Sequence, residues 1–591
     1  MATTKEPAKK EPAKKATNAK PKATSSQPKK KPTENTATST TCIIDNGGWQ
    51  IKYGISNNNS KPSTMPNCTA RPPHQLTVLA GDEILRMKNR SQLVYNHSLE
   101  RGMIVDGSTQ CEVWTRLLNV CGVNILPSSL ANNNKGGGLK KMIATNVNSN
   151  NVQVVLLVPP FVPSVISEGV DKILFRELGV GRVVKVLGGC MAAVRYLEEG
   201  RAFRSSFDGK AQNNDDLKSG ETYWINDDTK CCCVVDSGHS FTHVIPTRSE
   251  AAVEHAIKRL DIGGKVLTNL LKEAVTYRQW NMMDEYHVVN DAKEQLCFIS
   301  QEFNEDMKHA RQTRRGLRKF DREFLLPDFV NTFQGTVQLP MPLQMMRELE
   351  EDKRQQLNKE KEKAMKRENN AAGSNENVRD EIGNDLSDQP KQKKKRNRSK
   401  VADENVESEQ DENDAPDVES DEETEQQRLK RVKQMREQEQ KRREAEAKDR
   451  QALALSVERF AVPEVLFTPS DLGLDVGGIA DAIVESINAC DATVRAAMYH
   501  NVLLVGGNAK MPGFKNRVET ELRKLAPTQY AVRVFLPEDP LSYAWEGAKI
   551  FSQRPDFREK LSIDRVSWES MKKAGADQQD IWGDRIYNKQ P

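Results

Sequence analysis

Two short apolar runs, each broken by an acidic turn, set the pattern of this chain. Cys42-Ile43-Ile44 reads as a β-type run closed by Asp45-Asn46-Gly47-Gly48, and Ile51-Lys52-Tyr53-Gly54 resumes a strand. Strand, glycine-bearing turn and strand predict a hairpin. Val152–Val158 is continuously apolar and predicts a buried strand, while apolar positions near 110–120 and 165–178 recur with helical spacing. The first pattern then returns: Cys231–Val235 as strand, Asp236-Ser237-Gly238-His239 as turn, Ser240–Ile245 as return strand. The repeat lies about 190 residues after its first occurrence, and it predicts two duplicated α/β halves facing each other across a cleft.

Elsewhere the pattern lapses. The first 40 residues are mainly Lys, Pro, Ala, Thr and Ser without apolar periodicity, and predict a disordered basic arm. Residues 41–230 read as the first half and 231–345 as the first part of the second. Between 346 and 450 lies a charged insertion, either disordered or helical: KQKKKRNRSK at 391–400 is basic, and Asp403–Glu425 holds thirteen acids and no base. Patterning resumes over 451–553, which completes the second half and returns to the first; Trp545 in this stretch is expected to pack. Residues 554–591 are weakly patterned and read as a C-terminal tail.

Composition agrees with a partly non-globular chain. Of 591 residues, 29% are charged and only 6% aromatic, and mean hydropathy is −0.69. Net charge is 88 − 84 = +4, but residues 1–41 hold ten Lys and three Glu, so the remainder totals about −3. The basic arm, with Lys29, Lys30 and Lys31, suits a solubilising tail, nuclear import or nucleic-acid contact. No apolar run approaches the ~20 residues of a membrane span, and no apolar stretch follows the N-terminal lysines as in a secretory signal. Ten cysteines contain no CxxC pair, which argues against a zinc module or disulfide framework and for a reducing compartment. Cys231–Cys233 are expected to be small core residues. His239 and His243, four apart on an extended segment, share a face; with no third ligand they read as cleft or core histidines rather than a metal pair.

The turns carry the candidate chemistry. Asp at a strand end followed by glycine places backbone N–H groups around a phosphate chain, and the carboxylates of Asp45 and Asp236 are a weak candidate pair for a hydrated divalent cation. Leu503-Leu504-Val505-Gly506-Gly507-Asn508 ends a buried strand in two glycines, where backbone can approach a flat ligand.

These residues resemble the actin and actin-related protein family, which shares its actin-like fold with the sugar kinases and the heat-shock-70 ATPase domain. The matched segments include CIIDNGGWQIKYG at 42–54, VVDSGHSFTHVIP at 234–246, RLDIGGKVLTNLL at 259–271, VVNDAKEQLCFIS at 288–300 and NVLLVGGNAKMPGF at 501–514, in family order over nearly all of 42–551. The resemblance implies ATP or ADP with a divalent cation as cleft ligand. It places Asp45 and Asp236 around metal and phosphates, Gly47 and Gly238 in the turns, Lys52 on phosphate and His243 near the γ-phosphate. Lys293 and Glu294 fall near base and ribose, Gly264 on the same wall, and Gly506 and Gly507 on the adenosine wall.

Departures from the family concentrate in the same cleft. Trp49 stands for a small glycine of the first turn, Lys172 for the glutamine that positions water, His239 for an aspartate of the metal shell, and Met511 and Leu541 for the adenine-stacking pair. A charged lysine cannot accept a hydrogen bond, so it cannot orient attacking water. The departures predict that hydrolysis is lost or very slow. Within the family the segments resemble class six, the nuclear actin-related proteins. That resemblance implies a non-enzymatic structural subunit of a remodelling complex that exchanges a variant histone into nucleosomes, regulating transcription. The implied partners are the complex's ATPase subunit, a zinc-bearing subunit, and the nucleosome with its histones and DNA; the implied location is the nucleus, with a cytoplasmic pool as well. The alternatives are a slow ATPase and a polymerising cytoskeletal relative. The acidic block is expected to contact basic histone tails, Lys393–Arg398 to serve import, and Ser408 and Ser420 to suit an acid-directed kinase.

Overall fold

The computed structural model describes residues 40–57, 61–123, 125, 151–207, 230–340 and 451–588, save isolated positions within them, and scattered positions from 343 to 361. The basic arm and nearly all of the charged insertion, including Asp403–Glu425, Ser408 and Ser420, lie outside the described residues.

Two six-stranded sheets carry the duplication down to the register. In the first, the hairpin Thr40–Asn46/Gln50–Ile55 pairs antiparallel, with Asp45 opposite Lys52, and Thr40–Asn46 runs parallel to Val152–Val158 with Asp45 beside Leu157. In the second, Cys231–Ser237/Thr242–Arg248 pairs antiparallel, with Asp236 opposite His243, and Cys231–Ser237 runs parallel to Val502–Val505 with Asp236 beside Val505. Each aspartate therefore sits at the end of a central strand, where its turn faces the cleft. Strand order is 563–564, 182–187, 152–158, 40–46, 50–55, 63–66 in the first sheet. In the second it is 251–252, 242–248, 231–237, 502–505, 534–535, with 258–260 also on 242–248.

Both faces of these strands are buried, which explains continuous apolar runs rather than strict alternation with polar residues. Cys42 and Ile44 point into one core beside Trp114 and Trp568, while Ile43 points into the core between the sheets with Trp545. Cys231, Cys233 and Val235 likewise pack on the outer side of the second sheet, and Cys232 and Val234 on the inner. All ten cysteines are free thiols. Helices Gly188–Phe207 and Tyr543–Ser552 fill the space between the sheets, and a Cβ at Gly547 would lie 1.8 Å from the carbonyl oxygen of Met191. That backbone contact admits only glycine. Trp545 is buried as expected, its indole N–H donating to the carbonyl of Ile43 at 3.1 Å.

The charged insertion departs after strand Thr336–Gln338 and returns at Ala452–Leu455, the two strands flanking Arg322–Leu325 in one small sheet. Both its ends are thus anchored at one place.

The C-terminal segment, weakly patterned in the sequence, docks on the first half. Ile563–Asp564 extends the first sheet beside Arg182–Leu187, and helices Arg565–Lys573 and Gln578–Ile586 bury Trp568, Ile581 and Trp582. The buried apolar side chains of these two helices are few, Trp568, Ile581 and Trp582, so apolar spacing along the segment is too sparse to show periodicity. No helix among the described residues is long and apolar enough to cross a membrane.

Candidate functional site

Between the turns lies a cavity of roughly 440 Å³. All eleven residues singled out from the sequence line it: Asp45, Gly47, Lys52, Asp236, Gly238, His243, Gly264, Lys293, Glu294, Gly506 and Gly507. Trp49, His239, Met511 and Leu541 line it too.

The first turn is held rigidly. Gly47 N–H donates to the Asp45 carbonyl at 3.0 Å, and Asn67 Nδ2 donates to the Gly47 carbonyl at 2.9 Å and to Asn46 Oδ1 at 3.2 Å. Trp114 Nε1 donates to the same Asn46 oxygen at 3.2 Å. The second turn is braced from behind by Gly263 and Gly264, with Gly264 N–H donating to the Gly238 carbonyl at 3.0 Å and Lys265 N–H to the His239 carbonyl at 2.8 Å. Asn508 Nδ2 ties the third glycine segment to this turn through Ser237 Oγ and the Gly238 carbonyl. Gly506 has φ +93°, and a Cβ there would lie 2.4 Å from the Ser237 carbonyl oxygen, so the position requires glycine.

Charge in the cavity is internally compensated. Lys52 Nζ pairs with Asp45 at 3.0 Å. Burial disfavours its charge, but the charge and hydrogen bond of Asp45, helped by Asp236 and Asp539, outweigh this and raise its pKa. Burial pushes Asp236 up to about 6, with Asp45 adding and Lys52 opposing. Lys293 donates to the Gly264 carbonyl at 3.2 Å, Thr268 Oγ1 at 3.0 Å and Asn290 Oδ1 at 2.8 Å, which uses all three ammonium protons. Lys510 lies 3.5 Å from Asp539. Burial, then Arg259, pushes His243 down to about 3, and its Nε2 is buried without a partner among the described residues.

Two sequence expectations need correction. Lys172 lies outside the cavity: it ends helix Ser164–Lys172, is half exposed, and pairs with Glu168 at 3.0 Å one turn back. It says nothing about cleft chemistry. His239 sits in the turn rather than on the strand, so it does not share a strand face with His243; no group of three metal-type ligands occurs among the described residues. And histidines do gather here. Trp49 stacks on His239 at 5.4 Å between ring centroids, and meets His287 at 4.8 Å, Tyr286 at 5.5 Å and His97 at 6.5 Å; Tyr95 meets His287 at 4.0 Å. Sequence reasoning missed Tyr95, His97, Tyr286 and His287. The only local signal was the i, i+2 spacing of Tyr95 and His97 on one strand face; the rest is brought together across some 190 residues of chain by the fold.

These facts test the ligand implied by the family. The glycine wall of Gly264, Gly506 and Gly507 fits a flat ring approaching backbone. The phosphate side does not fit a triphosphate: the turns nearly touch, a Cβ added at Gly48 falling 2.6 Å from Ser240 Oγ, Trp49 covers His239, and the Lys293 ammonium is fully used by its own partners.

Fold and cleft together define a class, and the chain belongs to the actin family, which it matches over residues 36–574. It is similar to a protein named Actin-related protein 6 from Oryza sativa subsp. indica, 28% identical over 533 residues that cover 90% of this chain and 96% of the relative. Proteins of the same name from Arabidopsis thaliana (27% over 537 residues, 90% and 96% covered) and Drosophila melanogaster (27% over 519 residues, 88% and 94% covered) are comparably similar. These names agree with the class-six resemblance read from the sequence.

Proposed function

We propose that this chain is a non-catalytic, nuclear structural subunit of an ATP-dependent remodelling complex that exchanges a variant histone into nucleosomes. The carrying observation is the phosphate side of the cleft, closed by the approach of Gly48 to Ser240 and by Trp49 on His239. A cleft in that state has no place for the in-line attack of water on a terminal phosphate. The complex itself is taken from the class-six resemblance. On this reading the chain docks on the complex's ATPase subunit and a zinc-bearing subunit, and presents surface to nucleosomal histones and DNA.

Purification of the tagged chain from nuclei, with mass spectrometry of its companions and an ATPase assay of the isolated chain, tests the reading. Co-purification with a remodelling ATPase and a zinc-bearing subunit, and no turnover above an Asp236→Ala control, is expected. Turnover abolished by Asp236→Ala, or filament formation by the chain alone, would contradict it.

A further inference from the structure

Trp49 belongs to a cluster with a geometry of its own. Its ring is half-buried at the tip of the turn after Thr40–Asn46. His97 reaches it from strand Val94–His97, with Tyr95 beside His97, on the side of the cleft built on the first sheet. His239 comes from the turn of the second sheet, and Tyr286 and His287 from the first residues of helix Tyr286–Leu296, whose Val289, Ala292 and Leu296 sit in the second sheet's outer core. Four ring contacts thus cross the cleft mouth: Trp49 to His239, Tyr286 and His287, and Tyr95 to His287. None requires a ligand.

We propose that this cluster is a clasp built from the protein itself, which holds the cleft closed at neutral pH and releases it when its imidazoles take up protons. Aromatic rings gain most from contact when they are uncharged and desolvated, and three of the six rings are imidazoles. The environment favours their neutral form. Burial, then Lys293, Lys265 and His97, pushes His239 down to about 3; burial, then His97 and Arg90, pushes His287 down to about 4; burial, then Lys265, lowers His97. The other groups facing the cluster are Lys272, 6.0 Å over the Tyr286 ring, Glu294 toward Tyr286, and Glu285 with Arg90 toward Tyr95.

The direction follows from linkage. A freed imidazole takes a proton near 6.5, while clasped His239 and His287 stay neutral well below that. Above about pH 7 neither state is protonated and closure is unaffected. As pH falls below 6.5 the open state binds protons that the closed state does not, so opening gains until the folded values are reached.

The test follows Trp49 by acrylamide quenching in the full chain, subtracting a Trp49→Phe variant to remove the other six tryptophans. Trp49 should be shielded at pH 7.5 and become several-fold more quenchable between pH 6.5 and 5, with far-UV circular dichroism unchanged. A His239→Phe/His287→Phe variant, which keeps the rings and removes both imidazoles that cross the cleft mouth, should stay shielded over that range. Free quenching at pH 7.5, no change in acid, the same transition in the double variant, or a parallel loss of circular dichroism would each overturn the proposal. If the double variant does not fold, the wild-type titration alone decides.

Discussion

The buried pair Lys185–Asp171 turns the docking of the C-terminal segment into a measurable quantity. Lys185 Nζ lies 2.5 Å from Asp171 Oδ1, and also donates to the carbonyl and hydroxyl of Ser167 at 2.9 Å each. The other carboxylate oxygen of Asp171 accepts from Trp582 Nε1 at 3.0 Å and Gln578 Nε2 at 3.1 Å, and Trp582 lies 4.9 Å under the ammonium. Both charged side chains are essentially without solvent contact. Removing one partner leaves the other charge buried and unpaired, at a cost of about 3–5 kcal/mol, whereas replacing both by apolar groups of similar volume is often near neutral. Lys185→Met and Asp171→Leu should therefore each destabilise by about that amount, and the double variant by much less than their sum. Urea unfolding followed by circular dichroism, with limited proteolysis of the last 30 or so residues, reads both effects. Because Asp171 holds Gln578 and Trp582, the Asp171 variant should also lose protection there first. Single variants as stable as wild type, or strictly additive effects, would refute the reasoning.

Further outcomes follow from the same structure. Gly506→Ala should destabilise by at least about 1–3 kcal/mol, since φ is +93° and the added carbon meets the Ser237 carbonyl; unfolding at equilibrium checks it. Lys172→Gln should leave stability and any residual ATPase unchanged, because the side chain lies outside the cavity and pairs only with Glu168 one turn away; a gain in turnover would return it to the cleft. Deleting residues 391–425 should weaken binding to histones at low salt and change it little at high salt, the behaviour of charge-steered association. Equal binding by the full and deleted chains at low salt would remove that role.

What the sequence disclosed follows from the range of the interactions involved. The hairpins were legible because strand, acidic turn and strand are local, and their repetition gave the two halves; the eleven cavity residues came from the resemblance to the actin family. Gly506 could be placed because a buried strand ending in two glycines marks close backbone approach. Lys172 was misplaced because alignment to the family names the residue but not which side of the helix meets the cleft; it pairs with Glu168 one turn back. The clasp was invisible for a different reason. His97, His239 and His287 belong to separate elements of two halves, and only tertiary packing makes neighbours of them. The C-terminal docking was hidden by economy: its two helices bury few apolar side chains, Trp568, Ile581 and Trp582, which leave no period to read.

The central claim is that the cleft is closed on its phosphate side and does not depend on nucleotide. Denaturing extraction of the purified chain, followed by chromatography of the released small molecules and a thermal-shift titration with ATP and Mg²⁺, tests it most directly. The account predicts no stoichiometric nucleotide and no rise in melting temperature. One nucleotide per chain, with the stabilisation of about 2.7 kcal/mol that a ligand gives at 100 times its dissociation constant, would contradict it and require Trp49 to leave His239.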